Sequence, residues 1–511
     1  MYRILKATKD TYVTNRIINN KFRATDANVG QAGTLDLFKL YDESTLTGTS
    51  TPIELSRLLI KFNFNPLKEL TASLLDISHS SFKATLKLYD VYGGQPTPSN
   101  FNIILHPLSQ SFDEGIGRDV FNFADVDSCN YITASVSNST ATTWFVSGAE
   151  KQGLLGSEQI DIISSGNLLD GSGVVDLWKT QLFAKGDEDL SIDITNIVSA
   201  TLKNIIPNHG FRLAFSGTNE TDNKSRFVKR FATRHSTNTR ITPRIIIQYN
   251  DSLHDNSENF VFDVSGSLFL NNFHRGQPAN ILTGSKAIGL SGSSCLKVRL
   301  KSGSFSQTFT GSQHQIGNNF ITGVYSASFA ISSYNSILMP EIINSSSVKF
   351  DVFWGDNDSN TIVNSSSYGY HTSSITINSA QRTSFGNAAR VINLFITNLQ
   401  SAYASNQVIR LQAFARDVNK TVKFSKLPRE SRSVIFDKIH YRVLDAYSGD
   451  IIIPFDTDKN STLLSTNTDR MYFDLYMTDF DIGKVYQIDF KVIDYDTTQI
   501  FEDVGRFRVD A

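Results

Sequence analysis

The sequence predicts an all-β protein built of stacked sandwich modules, and three observations carry that expectation. Aromatic residues are abundant, with 36 Phe and 18 Tyr against only 4 Met. Together with Ser, Thr and Asn they suit pleated surfaces and short turns better than helices. Apolar runs of strand length alternate with turn clusters along the chain. A length of 511 residues, at about 150 per domain, predicts roughly three domains, each able to bury its own core. The boundaries are placed at 1–252, 253–385 and 386–511.

In the first block, Leu35–Tyr41, Leu58–Phe64, Ala84–Tyr89 and Arg244–Tyr249 read as strands. The last carries Ile245, Ile246 and Ile247 before the turn signal Asn250-Asp251 and is expected to close the domain. Ile194, Ile197, Val198 and Leu202 recur at helical spacing, with Thr195 as the expected cap and Pro207 as the stop. Asp251–Asn259 is polar and reads as a linker. In the second block Asn259–Asp263, Cys295–Leu300, Gly323–Ile331 and Val348–Trp354 read as strands, and Asn357–Ser367 as a loop. Val391–Thr397 fits a helix by periodicity and a buried strand by its β-branched content; the strand is preferred, with Val408–Ala415 as its partner. His440–Leu444, Asp450–Phe455, Tyr472–Tyr476, Tyr486–Tyr495 and Arg506–Val509 follow at the spacing of a small antiparallel sandwich. Alternation there predicts that Tyr486, Ile488, Phe490 and Val492 share one buried side.

Charged residues make up 19% of the chain and the formal net charge is −2. That balance argues against nucleic-acid binding by bulk electrostatics and against a polybasic membrane surface. No stretch approaches the ~20 apolar residues that span a bilayer, and Met1–Lys6 starts a strand pattern with no apolar leader. Folding in a cytoplasm, without membrane insertion, is the expectation. Cys129 and Cys295 fit no zinc spacing and are read as free core thiols rather than a disulfide.

Phosphate-cradling glycine loops, nucleophile elbows and H-E-x-x-H motifs are absent from the sequence. Asp356-Asn-Asp358-Ser-Asn360 and Asp456-Thr-Asp458-Lys-Asn460 open like calcium loops, with oxygen ligands at positions 1, 3 and 5. Thr361 and Ser461 then replace the turn glycine, and Ser367 and Asn467 the bidentate glutamate, so hairpin turns are preferred. Asp113, Glu114, Asp187, Glu188 and Asp189 supply paired carboxylates of the type glycosidases use, but adjacent carboxylates in loops are read in preference as a solvated loop face. Arg226, Lys229, Arg230, Arg234 and His235, interleaved with aromatics, read as the exposed basic face of a strand, with single-stranded nucleic acid as the alternative. Trp144, Trp178 and Trp354 have the chemistry to stack on sugars, but Trp178 lies in an apolar setting and is expected in the core. The Asn-x-Ser/Thr triplets at Asn138, Asn219, Asn364 and Asn460 follow from composition. No catalytic residue, cofactor or metal is assigned.

Two resemblances sharpen this reading. Asp10-Thr-Tyr12, Asn28-Val-Gly30 leading to Leu35, Arg57–Phe62, Ile192–Thr195, Asn208–Leu213 and Pro243–Ile245 resemble the DNRLRE family of β-sandwich domains. That resemblance covers about half the chain and implies a jelly roll like those of carbohydrate-binding modules, with Asp113–Asp176 as a long insertion. Asp445–Asp456, Asn460–Thr462, Tyr472–Met477 and Phe507–Asp510 resemble the immunoglobulin-like C-terminal parts of tailed-phage virion proteins. Taken together they imply a jelly-roll β-sandwich followed by two smaller immunoglobulin-like β-sandwiches. The implied role is a non-enzymatic virion component at the neck, tail or baseplate, assembled in the host cytoplasm with other virion proteins in symmetric multiple copies. A carbohydrate-binding adhesin gripping a host surface glycan through Trp144 or Tyr92 is the alternative.

Overall fold

The computed structural model describes residues 1–18, 22–42, 53–71, 75–91, 99–121, 127–255, 260–275, 277–283, 288–356, 369–379, 391–418, 433–467, 470–494 and 497–511. The chain is all-β, with a few short helices among many strands. No helix among the described residues is long and apolar enough to cross a membrane. By contacts it divides into two compact units: Arg3–Glu69 with Phe82–Gln248, and Met1–Tyr2 with Leu70–Ser81 and Tyr249–Ala511.

The jelly-roll sandwich lies in the Arg3–Gln248 unit. Its sheet path runs from Lys179–Phe183 through Phe101–Pro107, Phe211–Phe215, Ile53–Phe62 and Tyr2–Thr14, then on through Arg244–Gln248 and Lys83–Leu88 to Leu190–Asp193. The register of Tyr2–Thr14 shifts between Ala7 and Lys9, and a bulge of this kind bends a strand and increases its twist. On one side of the shift Ala7 N–H bonds Pro243 O; beyond it Lys9–Thr14 pair with Lys61–Ser56.

The continuous apolar run in Ile53–Phe62 has a physical reason. Arg57 and Leu59 alternate with Leu58 and Ile60, and all four are buried, so both faces of the strand are covered, which favours unbroken apolar sequence. On the Leu59 face, Val13 and Leu59 join Leu108, Phe112, Cys129, Ala134, Trp144, Ala149 and Ile162 in a small core. Asp113–Asp176 therefore folds down onto the sheet. It brings two small sheets, Thr133–Ser137 with Thr140–Thr143, and Gln152–Leu154 with Ile162–Asn167 and Val174–Asp176. Arg57 fastens it by donating to Gly148 O at 2.8 Å.

The expected helix is present as Thr195–Leu202, but Thr195 is not its cap. The N-cap residue is Ile194, with no side-chain hydrogen bond. Thr195 Oγ1 instead donates to Asp193 Oδ1 and accepts from Ala84 N, tying the helix start to the neighbouring strand. The two end strands of the sheet path are linked by a single side chain. Gln181, on Lys179–Phe183, donates through Nε2 to Asp189 O at 2.8 Å and accepts from Ser191 N at 2.6 Å.

In the other unit, a six-stranded sheet has the order Gly266–Asn271, Asn319–Phe329, Phe305–Ile316, Leu296–Ser302, Ser347–Asp356, Gly369–Asn378. Phe305–Gly311 pair with Leu296–Ser302, and Ser312–Ile316 pair with Asn319–Phe329. One strand thus serves two layers, which enclose Leu268, Val298, Tyr325, Phe350 and Trp354. The expected strand Asn259–Asp263 is, in its described part, an isolated bridge from Val261 to Asn378, with Phe260 and Phe262 packed into the core.

The C-terminal strands form two facing sheets. One orders Ile392–Ile396, Val408–Asp417, Met471–Tyr476, Ser465–Thr466; the other orders Ala402–Ala404, Thr497–Asp510, Val485–Asp494, Ile439–Asp445, Ile451–Ile453. This is an immunoglobulin-like arrangement, with the short strand Ala402–Ala404 parallel to the last one. Tyr441 and Phe490 from one sheet meet Phe473 of the other at 4.4 and 5.8 Å between ring centroids. Ile392–Ile396 is a strand paired with Val408–Asp417, and Tyr486, Ile488, Phe490 and Val492 are all buried.

Candidate functional site

Three distant segments converge beside the insertion. Asp10 follows the bulge in the first strand, Glu114 lies where the chain enters the insertion, and Arg234 and His235 follow the strand Arg226–Ala232. Oxygen or nitrogen atoms of Asp10, Glu114 and His235 lie within 4.8 Å of one another. Glu114 Oε1 accepts from Asp10 N at 2.8 Å and Arg234 Nε at 2.6 Å, and Oε2 accepts from Arg234 Nη2 at 2.5 Å. His235 Nε2 stands 3.6 Å from Glu114 Oε1, too far for a good hydrogen bond.

Asp10 is 1% exposed. Its Oδ2 accepts from Arg234 N at 2.5 Å, whereas its Oδ1 is buried without a hydrogen-bond partner. Burial pushes this carboxyl up to about 7, with the negative Glu114 adding to the effect and the Arg234 N–H opposing it. The bidentate contact with Glu114 raises the Arg234 guanidinium.

Asn28 holds the backbone of this site. Its Nδ2 donates to Glu114 O at 2.9 Å and Cys129 O at 2.7 Å, and its Oδ1 accepts from Gly30 N at 3.1 Å and Gly117 N at 2.8 Å. The chain passes so closely that a Cβ on Gly30 would stand 1.9 Å from Glu114 O. Asn28 and Gly30 carried the family resemblance in the sequence; their work here is to clamp the start of the insertion.

A second polar group lies under the insertion. Arg57 donates to Glu220 at 2.8 Å and Glu150 at 3.0 Å, and Arg212 stands 3.7 Å from Glu220. Burial, then the neighbouring Arg57, lowers Arg212 to about 10, and burial with Arg212 lowers His106 to about 3.

Several sequence expectations are corrected. The basic stretch is not an exposed basic face. Lys229 is buried between the Phe183 and Phe231 rings and paired with Asp90. Arg226 is bidentate to Asp222, and Arg230 lies 3.3 Å from Asp36. Each charge is thus matched within the fold. Glu114 is paired and largely buried rather than solvated. Glu188 keeps to its own turn, accepting from Lys185 N and Gly186 N, whereas Asp189 reaches out of it to accept from Asp90 N. Trp178 is 39% exposed, not core, because it sits next to an end strand of the sheet path. Trp144 is buried and donates Nε1 to Asn130 O at 3.0 Å, and Trp354 lies in the core.

Asp456 is buried in a turn, accepting from Asp458 N, Lys459 N and the Ser461 hydroxyl. Asp356 ends the strand Ser347–Asp356; Asp358, Asn360, Asn364 and Tyr92 lie outside the described residues. Cys129 is buried, Cys295 is partly buried, and both are free thiols. Asp10 and Asn28 were not singled out as site residues by sequence, because neither sits in a motif with its partners.

Fold and site together define an all-β protein of sandwich modules, with an immunoglobulin-like C-terminal module and, in the jelly roll, a carboxylate–histidine cluster that runs from buried Asp10 to exposed His235. No family model matches the chain, and no curated protein does. Among solved structures, one titled "Anomalous substructure of Titin-A168169" is 7% identical, covering 52% of this chain and 98% of its own, at a TM-score of 0.15. A chimeric titin Z1Z2 functionalized with a KLER exogenous peptide from decorin is 10% identical, covering 48% and 97%, at 0.16.

Proposed function

We propose that the chain is a non-enzymatic structural subunit of a tailed-phage virion, joined to other virion proteins at the neck, tail or baseplate in symmetric multiple copies. The virion assignment rests on the resemblance of Asp445–Asp510 to such proteins. The observation that carries the docking role is the set of exposed apolar side chains between residues 116 and 182, among them Phe145, Leu154, Leu169, Val174 and Leu182. Apolar surface left in water is the usual raw material of a subunit contact, and repeated modest contacts add up when partner sites are arrayed. Mass spectrometry of purified particles tests the reading: the chain is expected among their components at a fixed copy number, and its absence from them overturns it. Replacing Leu154, Leu169 and Leu182 together by Glu is expected to reduce incorporation while the soluble chain stays folded.

A second reading, a carbohydrate-binding module, is favoured by the exposed indole of Trp178. Trp144, enclosed in its own core, offers no ring face to a sugar. Saturable glycan binding that Trp178→Ala abolishes is the expected result; a glycan array without signal removes this reading.

A further inference from the structure

We propose that Asp10, Glu114 and His235 form a binding site for one divalent transition-metal cation of the zinc type, which clamps the insertion to the jelly roll. The three donors already lie within 4.8 Å of one another and come from three separate segments. A first shell at about 2.0–2.2 Å sets neighbouring donor atoms roughly 3–3.6 Å apart; the His235–Glu114 separation of 3.6 Å meets that spacing, and the 4.8 Å span of the three donors closes to it on binding by about 1 Å of side-chain movement. A second, independent observation favours a cation here: Asp10 Oδ1 is buried without a hydrogen-bond partner.

Charge counting points the same way. Asp10 and Glu114 bring two negative charges; the one positive charge, the Arg234 guanidinium, is bound to Glu114, whereas Asp10 receives only the neutral Arg234 main-chain N–H. One buried negative charge is left over, and burying it uncompensated is costly. A proton or a cation is the available remedy, and His235 selects between them. An imidazole beside two carboxylates suits zinc and its neighbours, whereas calcium and magnesium prefer oxygen-only shells. Arg234 and the Asp10 N–H would then act as outer partners that orient the Glu114 carboxylate, as ligating carboxylates require. His235, 29% exposed on its side chain, leaves an entry path.

The test is calorimetric titration of the full chain, stripped with a chelator, with zinc chloride alone, in wild type, His235→Ala and Asp10→Asn. His235 is partly exposed, so its replacement is expected to leave the circular dichroism spectrum unchanged. The expected result is one zinc per chain, with affinity falling at least tenfold in both variants, and hydrogen exchange at 112–118 slowing on zinc addition to the wild type only. No zinc uptake by the wild type, which would leave a proton as the remedy, overturns the proposal. So does uptake that His235→Ala leaves unchanged.

Discussion

Replacing Asn28 by Ala removes one side chain and four hydrogen bonds at once, two given to Glu114 O and Cys129 O and two received from Gly30 N and Gly117 N. Asn28 is fully buried, so the freed groups gain no water unless the segment opens. At a net value of about 1 kcal/mol for each bond, the clamp is expected to lose about 4 kcal/mol. With 1.4 kcal/mol per factor of ten, amides that exchange by local opening are expected to lose roughly a thousandfold of protection. Hydrogen exchange with mass spectrometry on peptides spanning 27–32 and 112–118 reads this directly. The strand Val485–Asp494, in the other contact unit, serves as the internal control and is expected to stay protected. A loss of less than tenfold at Gly30 and Gly117 refutes the reasoning, since it means the four bonds are not what holds the insertion.

Other outcomes follow from single residues. Burial, then the neighbouring Lys491, lowers His440 to about 4, only partly offset by Asp456. The unfolded chain, with an ordinary value near 6.5, takes the proton first, so stability is full above about pH 6.5 and falls towards pH 4; urea midpoints of His440→Gln are expected to fall less over that window. Trp178 is the exposed indole while Trp144 and Trp354 are buried; acrylamide is expected to quench one component of the fluorescence, and Trp178→Phe to remove it. Burial raises the Cys129 thiol far above its ordinary value, so a thiol reagent is expected to label Cys129 only after denaturation, as peptide mapping will show. Phe490→Ala is expected to cost about 3–5 kcal/mol in denaturant unfolding of the C-terminal module, because its ring is fully buried against Phe473.

Legibility in the sequence tracked how each strand is buried. The apolar residues of Val485–Asp494 alternate because one side faces the core, which makes that buried set legible; Asp489, buried on the other side against Arg442, is not. Phe305–Ile316 and Gly369–Asn378 escaped, since Ser, Thr and Gln fill them and few of their side chains reach the core. The last strand begins at Thr497 rather than at Arg506: its first half is polar or charged apart from Ile500, Phe501 and Val504, and none of its side chains is buried, so no core-facing alternation marks it. At the site, Glu114, Arg234 and His235 were each noticed as charged residues. Their meeting was invisible because Glu114 and Arg234 are 120 positions apart and only the tertiary fold brings them together. The buried state of Lys229 was equally hidden, because Asp90, which neutralises it, is 139 positions away.

The carboxamide of Gln181 resembles a peptide group carried on a short stalk, and it occupies backbone positions that an incoming strand would otherwise use. A row of free N–H and C=O groups is a template on which any passing extended chain can grow. Here part of that template is filled from within, so this stretch of the jelly-roll rim is a poorer seed for sheet-to-sheet growth into ribbons.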